Sequence, residues 1–519
     1  MTMPEEFLPP LPPRPRCCPC APPGGVSRRD FLKESGLVLG GVALSGLAWS
    51  ALKAAEADGA APAPPRVPLV VKPILSYGIP GRRPQTSWRN WGGVHTQAAA
   101  DEEVGRIKGE IEKIASGADF PVKFLPVSAV RGAGQIAGLP DLAQADAIIH
   151  YAAGGGGDIL DAVAKSGKHA IYFIRHRSGP VYLWYEIISP RHLRQHTDKL
   201  AAKSVDNGDV VVDSLDELTW RLRALVGLKN TIGSKILAVG GAGGWETPAA
   251  PQLAKDRYKL DIQGVTYADL GKLIQAARQD AAAVKNARDR AAEYLGDQAV
   301  KLETEKVFVE NAFLLERIFR GLMARGGCKA ITVNNCMGTI MPLAQTTACL
   351  TLSLLNDAGY LAFCESDFVV IPSGILAVAI SGRPQFLNDP TYPHGGLITL
   401  AHCTAPRKLD GKNPEPARIV THFESDYGAA PKVEMHKGQK VTNIIPDFKA
   451  ERYTGFLGEI VDAPFLPICR SQIDVGYKCS DARVAENMPG FHWMTIYGDY
   501  LREVAYCLKK IPIAWENLG

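Results

Sequence analysis

The sequence predicts an α/β protein: two open parallel-sheet α/β domains followed by a β-rich C-terminal domain. Three observations lead there. From residue 69 to about 380, short apolar runs alternate with longer amphipathic stretches, the order that strands and crossover helices impose on a parallel sheet. After Asp389 the texture changes to short β-rich segments separated by Pro and Gly. A leader set aside, roughly 460 residues remain, enough for two or three domains at ~150 residues each with well-formed cores.

The leader is residues 1–57. Ser27-Arg28-Arg29-Asp30-Phe31-Leu32-Lys33, the apolar run 37–52 and the small residues Ala54, Ala55 and Ala57 read as a twin-arginine export signal. The run follows Gly36, contains Gly40, Gly41 and Gly46, and is short of the ~20 residues of a membrane span, which favours a signal over an anchor. The expected location is periplasmic or otherwise extracytoplasmic, reached in the folded state with the twin-arginine translocase as partner; an uncleaved signal would leave the chain membrane-anchored. The Pro-rich start carries Cys17, Cys18 and Cys20 without a Leu-x-x-Cys lipid-attachment pattern.

Composition narrows the partner. The whole chain has 58 Lys and Arg against 54 Asp and Glu, and without residues 1–57 the balance is 52 against 49, nearly neutral. No basic cluster interleaved with aromatics appears, so nucleic acid is excluded as the expected partner and a small polar molecule fits better. Beyond the leader stand Cys328, Cys336, Cys349, Cys364, Cys403, Cys469, Cys479 and Cys507, with no CxxC pair or zinc-like spacing among them. They are expected to be small buried hydrophobes, with a disulfide formed after export left open.

Residues 58–68 form an Ala/Pro linker. In the first domain, 69–230, strands are expected at 69–75, 122–125, 147–151, 170–174 and 210–212, with helices at 100–116, 159–166 and 215–225. The second, 231–389, has strands at 235–239, 330–333 and 360–363, a long helical region at 267–295 and a helix at 307–324. The third, 390–519, has strands at 397–402, 418–423 and 440–445 and a closing helix at 501–509.

Two glycine-rich turns, Gly154-Gly155-Gly156-Gly157 and Gly240-Gly241-Ala242-Gly243-Gly244, lack phosphate-loop spacing and read first as tight turns. Trp88-Arg89-Asn90-Trp91 offers aromatic faces beside polar groups, either a sugar-binding wall or a packed domain interface. The strongest constellation is Cys364-Glu365-Ser366-Asp367 after a strand, then an apolar run, then Asn388-Asp389. If that run returns the chain to the same sheet edge, Glu365 and Asp389 meet in one crevice. His492, on a turn marked by Pro489 and Gly490, supplies an imidazole. Two carboxylates and a histidine make an open oxygen/nitrogen site suited to a divalent metal such as Mn²⁺.

Cys364-Glu365-x-Asp367, the run ending Ser381-Gly382-Arg383-Pro384, Asn388-Asp389 and the terminal Gly490-x-His492 with Tyr497-Gly498-Asp499-Tyr500 resemble the L-fucose isomerase family, related to L-arabinose isomerases. The resemblance is best from about residue 330 onward. It implies a fucose isomerase-like three-domain fold and a metal held by Glu365, Asp389 and His492. It also implies an aldose-ketose isomerisation in which Glu365 and Asp389 move a proton between neighbouring carbons through an ene-diol. Trp88, Arg89, Trp91, Asn388 and His402 are candidate substrate contacts, and Trp88 and Trp91 would serve a neighbouring subunit in a homo-oligomer. Two alternatives stay open: an exported glycan-processing hydrolase or lyase using the same carboxylates, and a carbohydrate-binding protein without turnover.

Overall fold

The computed structural model describes residues 63–85, 89, 91–201 and 204–519; the twin-arginine segment and Trp88 lie outside them. The protein is mixed α/β, with parallel-sheet α/β domains and a C-terminal antiparallel, barrel-like domain. Among the described residues no single helix is long and apolar enough to cross a membrane.

The first sheet has six strands. Its main order is Val122–Phe124, Leu69–Ser76, Ala147–Ala152, His169–Ile174 and Val210–Val212, with Ser128–Val130 also pairing on Leu69–Ser76, all parallel. Ala147–Ala152 is buried along its whole length, as a strand covered by helices on both faces must be. One polar clamp ties two strand ends together. Asp213, just past Val210–Val212 and in the left-handed region at φ 58°, accepts from the backbone N–H groups of His176, Arg177 and Ser178 and from the Ser178 hydroxyl. Partial burial pushes this carboxyl up, but those hydrogen bonds outweigh it and hold the group well below the usual carboxylate range. Its stabilisation is therefore complete above the ordinary carboxylate pKa and is lost as pH falls through the depressed value. In urea titrations, Asp213→Asn is expected to lower the midpoint at pH 7, and the gap to the wild type should begin to narrow below about pH 4 and close only as pH falls through the depressed value.

The second sheet runs Leu361–Cys364, Ala330–Val333, Lys235–Val239 and Asp261–Val265, again parallel. The stretch expected as one helical region is two helices, Tyr267–Gln279 and Ala281–Leu295. The break is at Asp280, whose carboxylate caps the second helix by accepting from Ala282 and Ala283 N–H.

The third layer is a seven-stranded sheet ordered Lys440–Pro446, Trp493–Tyr497, Phe386–Pro390, Leu397–His402, Ser471–Gly476, Arg452–Asp462 and Ala514–Asn517. Lys440–Pro446 also pairs with Arg452–Asp462, which closes the first six strands on themselves. Asp389 belongs to this sheet and not to the second parallel sheet: its strand lies antiparallel to both Leu397–His402 and Trp493–Tyr497. The expected strand-helix-strand return within one sheet does not occur. The intervening helix, Ile371–Ser381, ends at Gly382 with φ 71°, a left-handed cap that redirects the chain to the barrel. The carboxyl end of edge strand Leu361–Cys364 nonetheless meets the barrel, since Glu365 just beyond it lies 3.3 Å from His492.

Candidate metal centre

Glu365 leaves the edge strand in a strained turn. Glu365 and Ser366 both have positive φ, 65° and 49°, a conformation that side chains other than glycine and asparagine adopt only when the surroundings fix it. Here the surroundings do so. Ser366 N–H donates to Thr332 Oγ1 at 3.1 Å, Gly243 N–H donates to Ser366 O at 3.2 Å, and Phe368 N–H donates to Gly243 O at 3.0 Å. The second glycine-rich turn is thus a support for the site. It also carries Trp245, whose ring lies 4.6 Å from that of Phe491 and 5.8 Å from that of His492.

Three barrel strands bring the other groups. Asp389 lies on Phe386–Pro390 opposite Ala401, His402 ends Leu397–His402, and His492 immediately precedes Trp493–Tyr497. His492 Nδ1 meets Asp367 Oδ2 at 2.7 Å, and both side chains are buried. With the Nδ1 proton on that bond, Nε2 presents a lone pair. It sits 3.3 Å from Glu365 Oε2 and 3.3 Å from Asp389 Oδ1. All three atoms are buried and lack a hydrogen-bond partner.

The two carboxylates repel one another unless something positive lies between them: the imidazolium of His492 in the metal-free protein, or an ion to which its neutral Nε2 donates a lone pair. Ligand atoms each about 2.1 Å from one ion stand roughly 3 Å apart at right angles, a spacing matched by the two distances from His492 Nε2. His402 Nε2 lies 3.9 Å from Glu365 Oε1, while its Nδ1 is oriented by Thr404 Oγ1 at 2.9 Å. Asp389, His402 and His492 also place donor atoms within 4.8 Å of one another, so His402 stands as a fourth donor. Glu365, Asp389, His402 and His492 offer oxygen and imidazole nitrogen, which suits Mn²⁺ and similar ions, and the Cys364 thiol lies within 4.8 Å of donor atoms of Glu365 and His402. Glu365 and Asp389 each keep 22 % of their side-chain surface exposed, so the centre opens to solvent on one side.

The charges are strongly coupled. Burial pushes Asp389 up to about 7, with His492 opposing and the neighbouring Glu365 charge adding to the rise. Burial also pushes Glu365 up, but His492 outweighs it and leaves the group below its ordinary value. Burial alone would depress His492; Asp367, Glu365 and Asp389 together hold it well above the usual imidazole range. Burial lowers His402 to about 4, which keeps the imidazole neutral.

Glu365, Asp389 and His492, 24 to 127 residues apart in the sequence, thus come together. Asn388 does not join them. Its Nδ2 donates to Phe386 O and Thr495 Oγ1, both at 2.9 Å, and the side chain is fully buried, because neighbouring residues on a strand point to opposite faces. Arg89 is exposed and Trp91 is 64 % exposed. Sequence reasoning assigned no role to Asp367 or Trp245. Asp367 was within the quoted motif, but its partner His492 is 125 residues away and joined by no local pattern. A cavity of about 490 Å³ elsewhere, lined by His169, Lys229, Asp256, Arg257 and Lys510 among others, includes none of the centre's residues.

No family model matches the chain, and no curated protein sequence matches it.

Proposed function

We propose that the chain is an exported, metal-dependent sugar isomerase of the aldose-ketose type, similar to L-fucose isomerases, with Glu365, Asp389 and His492 holding a divalent ion such as Mn²⁺. The observation that carries this reading is the approach of two buried carboxylate oxygens, Glu365 Oε2 and Asp389 Oδ1, each to 3.3 Å from His492 Nε2, with Asp389, His402 and His492 placing donor atoms within 4.8 Å of one another. The resemblance of the C-terminal half supplies the substrate class.

A bound divalent cation supplies Lewis-acid polarisation of a substrate carbonyl, which acidifies the neighbouring C–H. The chain's own groups do the rest. Asp367 fixes the His492 ring and its tautomer, and the strained turn holds Glu365 against it. Glu365 and Asp389 form the acid/base pair that takes a proton from one carbon and returns it to the next. Trp245 and Phe491 wall one side of His492 and limit water there.

The geometry supports this reading over glycoside hydrolysis. His492 Nε2 lies 3.3 Å from an oxygen of each carboxylate, so an imidazole stands where a hydrolase pair, about 5–9.5 Å apart, would hold the glycosidic oxygen or water. A screen of Mn²⁺-supplemented protein against free sugars and oligosaccharides tests it, with ketose and new reducing ends measured separately. Ketose formation from a free aldose is expected, reduced by about 10²-fold or more in Glu365→Gln. Reducing ends released from oligosaccharides with no ketose would overturn the isomerase reading in favour of hydrolysis. Sugar affinity that survives loss of both carboxylates, without product, would mark a binding protein.

A further inference from the structure

Five of the eight described cysteines, expected as separate buried hydrophobes, form one continuous sulfur cluster. Cys349 Sγ lies 3.4 Å from Cys403 Sγ. Cys336 is hydrogen-bonded to both Cys349 and Cys364, and Cys469 to Cys403. They come from separate elements, which is why no spacing in the sequence announces them: Cys349 is in the first turn of the helix Ala348–Asp357, and Cys403 follows the strand Leu397–His402.

An imidazole enters the same cluster. His422, last residue of the strand Ala417–His422, offers a ring nitrogen within 4.8 Å of both Cys349 Sγ and Cys403 Sγ, and all three side chains are buried. His422 Nδ1 meets Ser425 Oγ at 3.2 Å, the kind of outer contact that orients a ligating ring. Cys336 accepts from the Ala348 N–H at 3.4 Å, and an amide at a helix start favours a thiolate. Core packing alone requires neither an imidazole nor sulfurs drawn from several elements to meet at one point. Two sulfurs, a ring nitrogen and a third sulfur beside them are instead the donor types of a closed zinc site.

We propose that Cys349, Cys403 and His422, with Cys336 as the adjoining donor, form a second centre that binds a thiophilic ion of the Zn²⁺ class, distinct in chemistry from the oxygen/nitrogen centre at Glu365. Each ligating thiol gives its proton to solvent as the metal–sulfur bond forms, so binding consumes no oxidant. The two donor sets abut, since Cys403 follows His402 and Cys364, hydrogen-bonded to Cys336, precedes Glu365. A hard ion at one and a soft ion at the other are separated by ligand type.

The test is Co²⁺ titration of the purified full chain, reduced and metal-free, followed by absorption and then by Zn²⁺ competition. Thiolate-to-cobalt charge-transfer absorption is expected in the wild type and in Glu365→Gln, displaced by Zn²⁺. It should be lost in Cys403→Ser and weakened in His422→Gln, the milder variant should Cys403→Ser fail to fold. Bound Zn²⁺ is also expected to slow alkylation of Cys349 and Cys403 in the wild type at least tenfold. Absence of the charge-transfer band in the reduced wild type would overturn the proposal, as would a Cys349–Cys403 disulfide found in the protein as isolated. Retention of the band in Glu365→Gln separates this centre from the first, whose failure would leave it standing.

Discussion

Asp367→Asn is expected to weaken divalent-ion binding about 10- to 100-fold although Asp367 contributes no ligand atom. Its Oδ2 accepts the His492 Nδ1 proton at 2.7 Å, and its Oδ1 accepts the Val369 N–H at 3.0 Å, so one carboxylate fixes both the imidazole and the turn that carries Glu365. Asparagine keeps the shape but removes the negative charge that makes Nε2 a stronger donor. A thermal-shift series with Mn²⁺ reads the result. An ion at 100 times its Kd stabilises the wild type by about 2.7 kcal/mol, and a hundredfold weaker site leaves about 0.4 kcal/mol at the same concentration. A purely structural role for Asp367 would lower the metal-free transition while leaving the Mn²⁺-induced shift unchanged.

The second large effect is on the first domain. Glu103, buried on the helix Gln97–Gly117, accepts from Arg175 Nε at 2.5 Å and from the Tyr182 hydroxyl at 2.6 Å through Oε1, and from Arg106 Nε at 3.0 Å through Oε2. Glu110, two turns along the same helix face, takes both Arg175 Nη groups at 2.9 and 2.8 Å. Arg175 is fully buried and lies 5.2 Å above the Phe173 ring. Removing one partner of a buried ion pair strands the other charge, a loss of 3–5 kcal/mol. Because Glu110 still pairs with Arg175, Glu103→Ala is expected at the lower end, about 3 kcal/mol. Glu103→Gln, which can keep one acceptor for the Tyr182 hydroxyl, should lose less. Urea unfolding of the two variants against the wild type measures both; equal stability of all three would show that the network contributes nothing.

Most strands of the first and second sheets were legible as short apolar runs, and 210–212, 235–239 and 330–333 fall where the periodicity puts them, but the three-residue Ser128–Val130 and the half-exposed, polar Asp261–Val265 were not. The helix break at Asp280 was missed because the sequence there has neither Gly nor Pro, only a capping carboxylate. Closure of the barrel was not legible. It depends on Lys440–Pro446 pairing with both Trp493–Tyr497 and Arg452–Asp462, and such long-range pairings leave no local signature. That same closure places Asp389 with His402 and His492, so the centre could be named residue by residue from motif resemblance but not built from the sequence. Trp245 was hidden for a related reason: its glycine turn lacks phosphate-loop spacing, and its use here is to pin the Glu365 turn and cover His492. The sulfur cluster was least visible, since its members lie on separate elements and each alone reads as a small apolar residue.

The measurement that bears most directly on the central claim is anomalous diffraction at the manganese edge from crystals of the wild type grown with Mn²⁺. The expected result is a peak about 2.0–2.3 Å from Glu365 Oε2, Asp389 Oδ1 and His492 Nε2, absent in Glu365→Gln. No peak among those three atoms in the wild type, or one that persists unchanged in Glu365→Gln, would contradict the assignment.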